Sequence, residues 1–479
     1  MKQNRFWFTL SFGCLLFLSI NFETQLSRNV RAEELFSKWE TAGEISAKTG
    51  KNRVLIPAGR HGLNYFPDQP ICILKEQPLA FLLVANGTYV MQGQSFETAV
   101  PVGQVLKPGP MGSFDNNYAG IGGIYNDKAR NRVIGFYHAE DKEGLGVIEA
   151  NGVQGFYATI GAAEASMHDH AFRKLGAAIS ADKPKLTQGR ATDGSPKESW
   201  LAQGVGDPTV CIDATGKYLL CYYVEWSNRQ KRGVQICVAR CSIETAGLPG
   251  AWQKYYQGAF SQPGLGGHDT PVVFAGLGAD AYTPQVQYVR EWERYVMVFG
   301  IGVASEINAR PLKPVQSGLY ISTSKDGIKW GKPFQIDRVF SLVINTQECK
   351  VHPTLVISRT TKDKLTGQLL YGYTPRWPES PHHLGSCPIT IELEKSENNL
   401  KSHLAGTKWI NSNDVTFEWT TDGRLLHSGI KREWRVLNES QVEIVFGSEH
   451  KDILVFDEEM KTFTQFIKGG PSSFTGKRQ

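Results

Sequence analysis

The sequence predicts an all-β protein, a five-bladed β-propeller followed by a small antiparallel β-meander or barrel domain. Short apolar runs rich in Val, Ile, Tyr and Phe recur along the chain, bounded by Gly, Asn, Asp and Pro, with almost no helical periodicity. Those runs fall into a weak internal repeat of roughly 50–90 residues, the signature of a repeated supersecondary unit. Beyond about Ser396 the runs shorten and crowd together around tight turns, which marks a second, smaller β unit.

Each copy of the repeat has an inner strand opened by Pro or a polar group, an apolar second strand, and a third strand that often ends near a DG-like turn. DPTVCID, KYLLCYYVEW and GVQICVARC make one copy; YTPQVQYV, RYVMVFGIG and GLYISTSKDGIKW make another. VHPTLVIS, QLLYGYTPRW and CPITIELE make a third, and NYAGIGGIYN, RVIGFYHAE and GFYATIGAAEAS a less regular fourth. QPICILKE, PLAFLLVANGTYVMQ and SFETA supply the fifth. A β-sandwich also yields many short strands, but five comparable copies favour a propeller, which closes on itself and buries its sheet edges.

Residues 1–32 are expected to be a signal peptide. Lys2 and Arg5 precede an apolar run, FWFTLSFGCLLFLSI, too short to span a membrane comfortably, and Ala32 offers a cleavage site. Export and a secreted or periplasmic location follow, with no membrane attachment after cleavage. Residues 33–395 then form the propeller, with a brief helix over 33–41, and residues 396–479 the C-terminal domain, with Trp409, Trp419 and Trp434 as its core and TTDGR as a hairpin turn. Outside the leader stand Cys72, Cys211, Cys221, Cys237, Cys241, Cys349 and Cys387, an odd number without zinc-site spacing. Buried thiols are expected, with no disulfide framework, structural metal or cofactor. The formal charge of +5 is spread without a basic block, which argues against nucleic acid.

In a propeller, residues that open successive inner strands converge on the central axis, so a site can form there with no linear motif. The candidates are Asp68 in FPDQP, Asp115 in SFDNNY, Asp207 in GDP, Tyr282 in YTPQ, and Glu348 with His352 in ECKVHP. Asp207 takes the position where other copies carry Tyr282 or His352. Second-strand ends add His138 and Glu140 in FYHAE, Glu225 in YYVEW and Arg376 in TPRW, with Glu306 comparable. His268 and Asp269 in GGHDTP are placed on the pocket rim. His168, Asp169 and His170 read as a solvated turn, and His382 and His383 as surface loop. Tyr65, Tyr118, Tyr223, Trp226, Tyr282 and Trp377 are expected mainly to pack blades, with one or two free to stack on a sugar face.

Over residues 52–394 the chain resembles the five-bladed glycoside hydrolase superfamily that includes families 43 and 32. Gly206-Asp207-Pro208 is similar to the Asp-Pro element of those enzymes, and Glu348-Cys349 to the Glu-Cys that carries the acid in family 32. Ser317–Trp330 is similar to their Ser-x-Asp-Gly-x-x-Trp outer-strand signature. FPDQP only partly echoes the nucleophile motif WMNDPNG, so the resemblance stays at superfamily level. It implies an exported glycoside hydrolase acting on an oligosaccharide or polysaccharide. Glu348 would be its acid, Asp115 or Asp68 its base, and Asp207 the residue that orients substrate and tunes the acid. The substrate contacts would be Glu140, His138, His268, Asp269, Tyr282, His352 and Arg376. Two carboxyls must face the scissile bond, about 5 Å apart for a nucleophile or about 6.5–9.5 Å for an activated water. The competing expectation is a non-catalytic propeller that binds glycan or protein.

Overall fold

The computed structural model describes residues 45–145, 155–167, 171–187, 202–227, 234–273, 279–303, 317–338, 348–375, 382–393, 400–401, 403–438, 440–446, 450–457, 460–467 and 473–479. The leader, the expected helix over 33–41, His168, Asp169, His170, Glu306, Arg376 and Trp377 lie outside them. The chain is all-β. Strands β1 (Ile45–Thr49) and β2 (Arg53–Ile56) come first, followed by a meander of β3 (Cys72–Lys75), β4 (Leu79–Val84), β5 (Thr88–Gly93) and β6 (Val100–Leu106). A second meander comprises β7 (Tyr118–Asp127), β8 (Arg132–Asp141), β9 (Phe156–Ser166) and β10 (Arg173–Ile179). The third contains β11 (Ala202–Ile212), β12 (Tyr218–Glu225), β13 (Gln235–Ser242), β14 (Gln253–Tyr256) and β15 (Ala259–Pro263), and the start of β11 pairs parallel with β9, so the second and third meanders share one nine-stranded sheet.

The fourth meander is β16 (Ala279–Val289), β17 (Arg294–Val303), β18 (Gly318–Ser324) and β19 (Phe334–Asp337). In the fifth, β20 (Cys349–Thr360), β21 (Lys364–Thr374) and β22 (His383–Leu393) are completed by β1 and β2, which both pair antiparallel with β22. The two ends of this region are thereby hydrogen-bonded into one sheet. The last strand of the first meander is β6, not SFETA as the repeat suggested. There the side chains of Ser95 and Thr98 bond each other and the intervening backbone as a turn.

Burial grades from the middle of each meander outward. All six residues of β4 are buried and nearly all of β12, because both faces of a central strand are covered by neighbouring sheets. Such strands read as unbroken apolar runs rather than alternating ones. Outer strands such as β6 and β15 expose much of their length. The SKDGIKW turn is structural: Asp326 accepts from the backbone of Ile328 and Lys329, the Gly327 carbonyl accepts from Tyr222, and Trp330 is buried against Tyr222. The seven cysteines among the described residues carry free thiols, buried or partly so.

The inner strands of neighbouring meanders are joined directly. The Ile71 N–H donates to Thr354 Oγ1 at 2.8 Å, linking the entry of β3 to β20. The Leu355 N–H donates to Gln285 Oε1 at 3.1 Å, and Gln287 returns a bond to the Leu355 carbonyl, linking β20 to β16. The Val286 N–H reaches Thr209 Oγ1 at 3.5 Å, linking β16 to β11. Between β11 and β7 the backbones themselves touch: a Cβ on Gly122 would lie 2.4 Å from the Pro208 carbonyl oxygen. β7 packs on β3, which closes the ring of inner strands.

Three of those strands share one irregularity. Asp207, Thr283 and His352 each precede a proline and adopt φ of 48°, 49° and 51°. At each X-Pro pair the ladder to the next strand skips both residues. Proline has no N–H to give, and a left-handed residue before it bends the strand into a bulge that re-aims the side chain. This register corrects the alignment of the copies. Asp207 corresponds to Thr283 and His352, not to Tyr282, and in the first copy to Gln69, which precedes Pro70.

Strands β23 (Thr407–Asn411), β24 (Thr416–Trp419), β25 (Leu425–His427), β26 (Ile430–Asn438), β27 (Gln441–Val445), β28 (Lys451–Phe456), β29 (Thr462–Ile467) and β30 (Ser473–Arg478) form a closed barrel. Trp409, Phe417, Trp419, Phe456 and Phe463 fill it, while Trp434 is only partly buried at its edge. The TTDGR hairpin joins β24 to β25.

Thr354→Val removes the acceptor of a buried N–H at a seam of the ring. It is expected to destabilise the protein by about 1–3 kcal/mol, with Thr354→Ser near wild type. Urea unfolding checks this; a Val variant as stable as wild type would show that the seam does not depend on the bond.

Candidate active site

Gly206, Asp207 and Pro208 form the centre of a buried polar cluster. Pro208 and the bulge turn Asp207 towards the ring's interior, and its Oδ1 lies 3.0 Å from His138 Nδ1 and 2.8 Å from Gln69 Nε2. A Cβ on Gly206 would sit 2.4 Å from His138 Nδ1, so glycine is what lets the imidazole approach. On the other side of the ring, His138 Nε2 is 3.4 Å from Glu140 Oε1, an ion-pair contact rather than a good hydrogen bond. Glu140 is itself paired with Lys142 at 2.9 Å.

Asp68 and His352 complete the cluster. Their side chains approach to 3.5 Å, and the Asp68 side chain, 38% exposed, is the most accessible carboxylate of the group. The Tyr118 hydroxyl donates to the Asp68 carbonyl at 3.0 Å. Three polar atoms on buried residues, Gln69 Oε1, Thr283 Oγ1 and His352 Nδ1, make no hydrogen bond within the protein. Buried polar atoms are nearly always paired, so a group of them on the bulges marks a place built to meet a polar ligand or solvent. Tyr65, with φ 55° and half exposed, stands edge-on to buried His382 at 5.6 Å, three residues before Asp68.

The electrostatics are strongly coupled. Burial alone would keep His138 neutral, but its bond to Asp207, its close contact with Glu140 and the charges of both outweigh that and raise it from 6.5 to about 10. Burial pushes Asp207 up, yet the bond and charge of His138, the charge of His352 and the Gln69 bond bring it below the ordinary carboxylate value. Tyr118 is held neutral by burial first and then by the charges of Asp68, Glu140 and Asp207. Burial lowers His382 to about 4. Among the described residues no group of three or more His, Cys, Asp or Glu has metal-holding geometry.

The structure brings together Asp68, His138, Glu140, Asp207 and His352 from the expected set. His138 is buried at 3% exposure, so it lies beneath the surface rather than on it. Asp115 lies elsewhere, buried against Lys174 and accepting from Ser113 and Tyr137. Glu348, four residues before His352, interacts with Tyr373. His268 pairs with Asp182 at 2.8 Å, and Asp269 with buried Lys254 at 3.5 Å, both on the third meander's outer strands and loops. Tyr282 is buried with its hydroxyl 2.5 Å from Asp280. Arg376 is outside the described residues. Gln69 and Thr283 were missed, and X-Pro pairing at strand starts was the signal that could have found them; Tyr118, expected to pack between blades, instead donates its hydroxyl to the Asp68 carbonyl inside the cluster.

No family model matches the chain, and no curated protein matches it. Solved structures do. An N-acetylgalactosamine deacetylase from F. plautii, in complex with blood group B trisaccharide, is 10% identical with a TM-score of 0.44, covering 72% of this chain and 95% of its own. A family 117 glycoside hydrolase from the marine bacterium Zobellia galactanivorans is 11% identical with a TM-score of 0.42, covering 74% and 92%. An endo-1,5-alpha-L-arabinanase from Thermotoga petrophila RKU-1 is 11% identical with a TM-score of 0.39, covering 87% and 99%. Likeness at this level assigns no role to any residue of this chain.

Asp207→Asn leaves a buried imidazolium without its main partner, and is expected to cost about 3–5 kcal/mol at neutral pH. His138 has a raised folded pKa, so the stability it contributes is complete below pH 6.5 and lost as pH rises through about 10. The wild-type advantage over Asp207→Asn should therefore shrink between those values in thermal unfolding. A gap that stays constant to pH 10 would mean that His138 is not charged.

Proposed function

We propose that this chain is an exported five-bladed propeller glycosidase, with residues 33–395 as the catalytic domain and the barrel as a separate C-terminal domain. The five meanders are its blades, and β1 and β2 close the ring. One observation carries the functional reading: three carboxylates far apart in sequence, Asp68, Glu140 and Asp207, gather around Tyr118 and the imidazoles of His138 and His352. The resemblance of GDP and FPDQP to the glycosidase superfamily's inner-strand starts gives that arrangement a chemistry.

In this reading Asp68, the accessible carboxylate, is the base or nucleophile at the sugar's anomeric carbon. Asp207, kept ionised, accepts a sugar hydroxyl or faces the positive charge that develops in the oxocarbenium-like transition state. Glu140, ion-paired with both His138 and Lys142, stays ionised beside Asp207, and Glu348 keeps the proton-donor role. Tyr65 offers an exposed ring next to Asp68 on which an apolar sugar face can stack. The Gln69, Thr283 and His352 atoms without internal partners are donors and acceptors for hydroxyls. The substrate is an oligosaccharide or polysaccharide.

The test is a screen of aryl glycosides and oligosaccharides with wild type and variants. Asp68→Asn is expected to lose about 10²–10⁴-fold in kcat/KM. Glu348→Gln should be impaired on oligosaccharides but largely spared on a dinitrophenyl glycoside, whose leaving group needs no proton. If Glu140→Gln shows that pattern instead, the donor is Glu140. Glycan binding without turnover in wild type would make the protein a binding module. Tyr65→Ala is expected to raise KM roughly 2- to 10-fold with kcat nearly unchanged, read by initial rates over a range of substrate concentrations.

A further inference from the structure

We propose that His138 is a positioning residue, an imidazolium clamped between Asp207 and Glu140 that fixes the two carboxylates as one unit beneath the substrate without touching it. The geometry carries this. Nδ1 faces Asp207 at 3.0 Å and Nε2 faces Glu140 at 3.4 Å, so both ring nitrogens point at carboxylates. The ring is enclosed edge-on by Tyr118 from β7, Phe156 from β9 and Trp226 beyond β12, with centroids at 5.4, 5.8 and 5.7 Å. Phe156 and Trp226 are also perpendicular to each other at 5.5 Å. An aromatic enclosure excludes water, which strengthens the ring's interaction with the two carboxylates. The missing side chain at Gly206 makes the space for it.

The groups that face His138 leave little room for a neutral ring. Glu140 comes from its own strand, Asp207 from β11 and the Tyr118 hydroxyl from β7, with Asp68 behind Tyr118; Lys142 reaches only the far oxygen of Glu140. One contact marks the alternative state. The Asp207 N–H also points at Nδ1, at 3.1 Å, a bond open only to a neutral ring with its proton on Nε2. In that tautomer the Nδ1 lone pair would also face Asp207 Oδ1, which is repulsive while Asp207 is ionised. Two carboxylates against one amide select the charged ring, which then donates Nδ1–H to Asp207 and presents Nε2–H to Glu140. Asp207 accepts from His138 and Gln69. Without the imidazolium it would be a buried anion held by one amide, and its affinity for a proton would rise.

The kinetic consequence rests on the proposed hydrolysis; the charge state does not. Nitrogen-15 NMR of the histidines in the full chain is the direct experiment, with His138→Gln to assign the signal. One histidine is expected to keep both ring nitrogens protonated from pH 5 to 8 and to titrate only near pH 10. An Nε2–H neutral tautomer for His138 at pH 7 overturns the clamp. In Glu140→Gln, which keeps the imidazole and Asp207, the midpoint should fall while staying above 6.5; an unchanged midpoint also overturns it, even if His138→Gln does not fold. Where turnover is measurable, His138→Gln should move the acid limb of kcat/KM upward by at least one pH unit, so that its loss relative to wild type grows towards tenfold as pH falls below the displaced limb and is smallest at pH 7.5. A uniform drop at every pH would leave His138 a packing residue. Absence of turnover in wild type would sink the proposed function and leave the NMR result standing.

Discussion

The X-Pro bulge on the inner strands is the constraint on which the rest depends. A regular strand alternates its side chains between the two faces of its sheet, both of which are buried in the meander interiors here. A polar residue on such a strand would be driven into an apolar layer. By placing a left-handed residue before a proline, the chain drops two residues out of the ladder and turns one side chain out of the sheet towards the ring's centre. Aspartate and histidine tolerate positive φ better than most residues, but threonine is β-branched and does not. That Thr283 holds it as well indicates that the bulge is imposed by the ring and that the residue type is a separate choice.

The bulge also explains how one motif serves packing and chemistry together. Pro208 brings its carbonyl against Gly122, where any side chain would collide, so β7 and β11 approach closely. Gly206, two residues earlier, clears the space for His138. Asp207 between them is then held by one charged donor from β8 and one amide donor from the loop before β3. Charge in such a buried site is costly unless paired, and here each charge is the other's condition: the carboxylates keep His138 protonated, and His138 keeps Asp207 ionised.

Much of the architecture was legible in the chain. The copies came from repeated apolar runs and Pro-opened strands, and TTDGR, SKDGIKW and the GDP motif each fell where a turn or bulge is found. The site was only half legible. Asp207, Asp68, Glu140, His138 and His352 could be named from strand ends, because polarity at the end of an apolar run is visible locally. Asp115 and Glu348 satisfied the same local rule, yet one is tied to Lys174 and Tyr137 and the other lies beside Tyr373. His138 could be named only as a strand-end residue, and its burial under Tyr118, Phe156 and Trp226 has no local sign.

The sequence by itself determined the all-β class, the repeat and the positions where inner strands would break, because periodicity, proline and glycine act through the backbone over a few residues. Only the tertiary structure decided which polar residues meet. Asp207 bonds a side chain 69 residues away and another 138 residues away, and those separations are bridged by ring closure, not by spacing along the chain. Whether an acidic side chain is a surface turn, a buried ion pair or part of a site depends on which sheet lies opposite. That is fixed when the inner strands come together around their common centre.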